Sequence, residues 1–440
     1  MDLPFFVDKF RAKTARIFGS SFGQNVAWVT GLSGVERFAA LLQTIIVARA
    51  LGITEYGVYG LLFGTIGFTA SITGMQMGLT ATVFIARYKG VNKAKARRVV
   101  QHVNRFALVV SAVFFFFSLP FSNYISVWLL SSDQYVLAVI LGCIFVGGSL
   151  VSGVQDGVVQ GFEDFKAIAR VKIFTSLGTL VVMYPGAKMF GLEGVLLVLL
   201  GALFLKYLLL NFVARKYQLV HGFPRQGSGV KFSELVLGFS APSMMTSLLV
   251  GFATWFGMYL LSKQAAGFDE VAIVNTGVQW RGPLLLISSS IGSVAIPVFS
   301  RLNSTGNSSL AHNLQSNLLW LNGVAALVVV SLIAILAEPL LGLYGESFIG
   351  GKYIFLLILA ASIPQVIAQV YMQKLVGDGK IWLQFWLHVP FFCCLLAGFI
   401  LLIPAHSGLG YAGTMLASTL IFLLYSVVTL KFYEANDSEN

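Results

Sequence analysis

Charge is scarce in this sequence. Asp, Glu, Lys and Arg make up 11% of its 440 residues, where an average soluble domain carries about 25%. Apolar residues reach 57%, and the mean hydropathy is +0.82. Those values exclude a soluble globular enzyme, a disordered chain and a collagen or coiled-coil fibre. Cysteine is nearly missing too. Cys143, Cys393 and Cys394 all lie in apolar runs, with no metal-ligand spacing and no disulfide framework, and read as small packing residues. Long loops are also missing, since no connection between apolar runs exceeds about twenty residues. That leaves no room for a nucleotide-binding domain or a catalytic appendage. No G-x-x-x-x-G-K-[ST] loop occurs, and no cofactor or metal is expected.

What the chain has in quantity is membrane-length apolar runs. Twelve are read, near 28–50, 57–80, 103–121, 135–157, 166–186, 192–213, 233–262, 271–299, 315–336, 351–374, 383–403 and 409–430. The fold class is therefore all-α integral membrane. The formal net charge of +11 comes from 29 basic against 18 acidic residues. The basic residues cluster in alternate short loops, a pattern of membrane orientation rather than of nucleic-acid binding. With both termini in the cytoplasm, 22 basic residues fall inside, and only Arg49, Lys188, Lys263 and Lys352 fall outside. Residues 1–27, with Lys9, Arg11, Lys13 and Arg16, read as an amphipathic cytoplasmic segment on the membrane surface.

The chain also looks duplicated. Glu55 follows the first run and Glu270 the seventh, 215 positions apart; Gly161 follows the fourth and Gly377 the tenth, 216 apart. Two six-helix lobes result, 28–213 and 233–430, joined by a cytoplasmic linker at 214–232 and followed by a tail at 431–440. An even number of spans per repeat makes the lobes parallel, with a central cavity between them and access alternating as one rocks against the other. That is the plan of a transporter.

Charges within spans are the first candidates for function. Arg37, Arg281 and Lys206 are the basic ones and Glu36 the acidic one. Arg37 and Arg281 fall near mid-depth and are expected to line a cationic cavity, where the planar guanidinium suits a phosphate group. Lys206 lies nearer the cytoplasmic end and can snorkel. Glu36 cannot face Arg37 one residue on, but can pair with Arg281 or Lys206 on another helix. Gln155, Asp156 and Gln279 either bond sugar hydroxyls or bond a neighbouring helix. His388 is either a proton carrier, with Glu36, or an interhelix bond. Pro242, Pro283, Pro297, Pro364 and Pro390 read either as hinges or as fixed packing geometry.

Five stretches carry a family resemblance. Val47-Ala48-Arg49-Ala50-Leu51-Gly52 with Glu55-Tyr56-Gly57-Val58-Tyr59, then Gly74 to Gly78, resembles the opening of the bacterial polysaccharide-biosynthesis flippases. Gln160-Gly161-Phe162-Glu163-Asp164-Phe165 is similar to that family's signature after the fourth span, and Ile296-Pro297-Val298-Phe299-Ser300-Arg301 to the end of its eighth. These flippases belong to the multidrug/oligosaccharidyl-lipid/polysaccharide (MOP) exporter superfamily. The resemblance implies a two-lobed flippase of the bacterial inner membrane. Its substrate would be an undecaprenyl-diphosphate-linked oligosaccharide, and its surroundings the membrane lipids and the glycan polymerase and ligase machinery. The superfamily's multidrug exporters, coupled to H⁺ or Na⁺, are the alternative; they usually depend on acidic cavity residues, and Glu36 is the only acid deep in a span.

Overall fold

The computed structural model describes residues 21–220, 222, 224, 229–232, 241–304 and 308–439. The described residues are helical, without strands. Twelve spans follow one another. α1 is Ser21–Leu51; α2 is Ile53–Gly74 continued by Met77–Tyr88; α3 is Lys93–Ser118 continued by Ser122–Leu130; α4 is Val136–Gly161. Phe165–Val220 turns back at Gly191 and supplies α5 (165–190) and α6 (192–220). α7 is Ala241–Ser262, α8 Gly267–Ser304, and α9 Ser308–Ile335 continued by Ala337–Tyr344. α10 is Lys352–Ala360 with Ser362–Gly377, and Ile381–Glu439 turns back at Ser407 to give α11 (381–406) and α12 (408–439). The first span is already helical at Ser21, inside the segment read from sequence as a surface helix; residues 1–20 of that segment lie outside the described residues.

Among the described residues, seven helical runs are long and apolar enough to cross a membrane. Two of them are the back-folded pairs α5–α6 and α11–α12, so nine spans are covered. α1 and α8 carry Glu36, Arg37, Asp269, Glu270 and Arg281, which lower their apolar content. Bulky apolar side chains face outwards: Phe116 and Phe117 are both more than 70% exposed, a cost borne only in lipid.

The two lobes repeat one packing scheme. α4 packs on α2, α3 and the α5–α6 pair, and α1 on α5–α6; α10 packs on α8, α9 and the α11–α12 pair, and α7 on α11–α12. Gly161 and Gly377 each end a helix. The sharp turns at Gly191 (φ 57°) and Ser407 (φ 47°) lie 216 positions apart, and each is met by the corresponding glutamate. Glu270 Oε2 accepts from the Gly408 amide at 2.9 Å, while Glu55 Oε2 lies 3.9 Å from where a Cβ on Gly191 would stand. Each carboxylate sits at the free N–H end of a helix. Glu270→Ala is expected to cost about 1 kcal/mol of thermal stability and Glu270→Gln less, since the amide keeps an acceptor; equal losses from both would show that the bond to Gly408 is not what stabilises the turn.

The break inside α2 is of a different kind. Met75 and Gln76 both adopt positive φ, 44° and 53°, a region that β-carbon sterics make costly. The bend lays Met77–Tyr88 against α4 so closely that a Cβ on Gly157 would stand 2.0 Å from the Gly78 carbonyl oxygen. Thr82 Oγ1 donates to the Gly157 carbonyl across this crossing at 3.1 Å. The prolines read as hinges mark no such break: helix runs on through Pro283, Pro297 and Pro390. Pro364 follows a short interruption at Ala361, and Pro242 is the second described residue of α7.

Candidate functional site

Among the described residues, contacts between the lobes gather at the end away from Ser21 and Glu439, here called distal. α2 of one lobe crosses α8 of the other along a pseudo-twofold axis, so repeat-equivalent residues touch. Thr54 Oγ1 donates to Asp269 Oδ1 at 2.6 Å, and a Cβ on Gly60 would meet Asn275 at 3.1 Å; both pairs are 215 positions apart. Around the axis Tyr56, Tyr344 and Phe348 pack as a buried aromatic cluster. Tyr344 Oη bonds Thr44 Oγ1 of α1 at 3.1 Å and accepts from Trp280 Nε1 at 3.2 Å.

Two latches flank this seal. Arg49, at the end of α1, donates from Nε to the Leu343 carbonyl and from Nη2 to that of Gly342, each at 2.7 Å. Lys263, just past α7, donates to the Trp128 carbonyl at 2.7 Å and to Ser131 Oγ at 2.9 Å. Each cation thus meets the last carbonyls of the third helix of the opposite lobe, where the helix dipole favours positive charge. Burial among these groups pushes the Lys263 pKa down. Sequence reading left both residues as outer-face charges; the signal it passed over is that 49 and 263 nearly share the repeat offset.

Farther from the distal end, Trp255 Nε1 donates to Thr65 Oγ1 at 2.9 Å, and Phe68 stacks on Trp255 and packs against Phe252. At about the same depth as Phe68 stands Arg37. A Cβ on Gly282 of α8 would lie 3.7 Å from its Nη1. Arg37 is exposed and has no carboxylate partner among the described residues. At 1.5 Å per residue it lies about 21 Å from the distal end of α1. Among the described residues, contacts between the lobes run from the distal end as far as Gly282 beside this cation.

The other candidates are held within their own lobes. Arg281, expected to line the cavity, is 5% exposed; its Nη2 donates to Gln365 of α10, and Tyr411 of α12 is close by. Its side chain is buried inside the C-terminal lobe, against α10 and α12. Glu36 pairs with Lys172 of α5 at 3.2 Å rather than with Arg281 or Lys206. Lys206 pairs with Asp156 between α6 and α4. Gln155 is buried and donates to Asn104 at 2.9 Å. Gln279 is partly buried on α8. His388 Nδ1 meets the Gln384 carbonyl of its own helix at 2.8 Å and its ring packs on Phe422; no acid stands beside it among the described contacts. Among the candidates, Arg37 is the one seen to reach towards the other lobe.

Comparison with known proteins agrees with this architecture. The inward-facing conformation of a multidrug resistance MATE family transporter of the MOP superfamily superposes with a TM-score of 0.74 at 16% identity, covering 91% of this chain and 96% of that one. The outward-facing conformation of such a transporter gives 0.69 at 14%, covering 94% and 96%. A MOP superfamily transporter from Pyrococcus furiosus, described as having a binding pocket of reverse polarity that suggests a different function, gives 0.66 at 14%, covering 92% and 94%. No curated protein matches the chain in sequence. The family model for polysaccharide biosynthesis proteins matches residues 22–303. With well over half its length inside that match, the chain belongs to the polysaccharide biosynthesis protein family and has the fold of MOP superfamily transporters.

Proposed function

We propose that this protein is an alternating-access flippase. It moves an undecaprenyl-diphosphate-linked oligosaccharide from the inner to the outer leaflet of the bacterial cytoplasmic membrane, supplying the assembly of O-antigen, capsule or exopolysaccharide. The observation that carries this reading is Arg37, an exposed guanidinium without a carboxylate partner among the described residues, which reaches Gly282 of the other lobe. The basic loops lie at the end of the chain termini, and the preference of basic loops for the cytoplasmic side supports a cytoplasmic position for that end. The cleft then faces the leaflet where lipid-linked sugars are made.

In this reading the diphosphate seats on Arg37, whose fork makes two charge-assisted bonds at once. The glycan occupies the cleft, and the prenyl tail stays in lipid, passing between the lobes. Unassisted, each sugar and phosphate group left without a partner in hydrocarbon costs several kcal/mol; the cleft replaces those partners. Release of the distal latches then opens the far side. A cation exporter would want a free carboxylate in the cleft, and Glu36 is instead tied to Lys172.

The test is a strain lacking the gene, without a redundant flippase, whose prenyl-linked glycans are probed in spheroplasts with an impermeant glycosidase. Complete units are expected to accumulate out of reach of the enzyme. Wild type restores access; Arg37→Ala restores less than about a tenth of it, the loss of one charged bond pair. Glycans that reach the outside without the gene would overturn the flippase and turn attention to cation export.

A further inference from the structure

A second polar site lies away from the cleft. At the proximal end of the N-terminal lobe, where the basic loops are, α3 and α6 flank a groove of about 470 Å³ floored by Val151 and Gln155 of α4. α1, α7 and α8, which bound the cleft, contribute nothing to its lining. Arg97 enters from α3 and Arg215 from α6, and among the described residues the lining contains no carboxylate. One guanidinium nitrogen of Arg97 donates to Gln218, while its Nε is buried without a partner. Arg215 is exposed, and no acid pairs with either arginine among the described residues. Asn104 and Asn211 add amide groups deeper in, beside the buried Gln155.

Two guanidiniums lining one groove, with no acid among its described lining and one nitrogen of Arg97 lacking an acceptor, ask for an anion. The walls say which kind. Leu108 is 57% exposed. Leu108 is eleven residues beyond Arg97, about 16 Å further into the membrane. An apolar exit continues the polar groove towards hydrocarbon. We propose that this groove is a lipid-binding site: it seats the phosphate of an anionic phospholipid between Arg97 and Arg215, bonds the ester and glycerol oxygens through the amides, and lets an acyl chain leave along Leu108. The field of an anionic leaflet adds to the attraction at this end.

The site stands independently of what the cleft carries. Full-length protein in detergent is offered phosphatidylglycerol, diacylglycerol of the same chains, or inorganic phosphate, and lipid retention is read by native mass spectrometry. Phosphatidylglycerol is expected to be retained and diacylglycerol not. Arg215→Gln, at an exposed side chain that supports no other group, weakens retention about tenfold with the melting temperature unchanged. Arg97→Gln with Arg215→Gln abolishes it. Retention unaffected by Arg215→Gln and by the double change overturns the proposal, as does equal retention of diacylglycerol. Displacement of the lipid by millimolar inorganic phosphate would make a free anion the ligand and overturn the lipid reading.

Discussion

Replacing Arg49 and Lys263 together by Gln is expected to open the distal end of the molecule. Each side chain gives two short bonds to the last carbonyls or cap of a helix in the other lobe. A cation so placed at a half-exposed helix end contributes about 1 kcal/mol. The two latches act on the same separation of the same lobes, so their loss adds. Together they shift the balance between distally closed and distally open forms roughly thirtyfold. The aromatic cluster of Tyr56, Tyr344 and Phe348 remains, so the closed form is weakened rather than abolished. Spin labels at Tyr124→Cys and Tyr353→Cys, in a chain with its three cysteines replaced by serine, report the gap between the lobes at this end. Both side chains are exposed. A longer-distance population should grow in the double variant and grow less in each single one. An unchanged distance distribution would show that the aromatic seal alone holds the lobes together.

The pseudo-symmetry of these latches shows what a sequence makes legible. Apolar runs of membrane length follow from composition, because nothing else satisfies a helix backbone in hydrocarbon. The twelve spans and the duplication were therefore readable, and the 215–216 offset reappears as Thr54 on Asp269 and as the turns at Gly191 and Ser407. The direction in which an intramembrane side chain points was not readable. Arg37 and Arg281 look alike as lone cations in apolar helices. One faces the opposite lobe and the other is sunk against Gln365, because that depends on how α8 is rotated against α10. Partners across helices were hidden for the same reason. Lys172 counted as a cytoplasmic flank residue in the sequence, yet its long stem brings its ammonium to Glu36. The positive-φ break within α2 is made by Met75 and Gln76, which no composition rule flags, between glycines that permit the close crossing with α4.

Lys206→Met is expected to destabilise the protein by about 3–5 kcal/mol, and Asp156→Leu added to it is expected to restore most of that loss. The argument rests on where the pair sits. Their side chains are 22% and 16% exposed, and Asp156 Oδ1 is buried with no partner of its own. Removing the ammonium leaves a carboxylate uncompensated in a low-dielectric interior, which costs several kcal/mol. Removing both charges leaves an apolar contact between α6 and α4 that lipid and neighbouring helices tolerate, because the pair's Coulomb energy mostly offset its own desolvation. Thermal unfolding of the three variants in detergent measures the cycle, and additive losses would mean that the two residues do not act on each other. The same double variant separates structure from transport. Returned to the deletion strain, a folded chain that restores glycan access assigns Asp156 and Lys206 to the scaffold of the N-terminal lobe. A folded chain that fails to restore it places the pair in the transport cycle, where making and breaking this bond would accompany the rocking of the lobes.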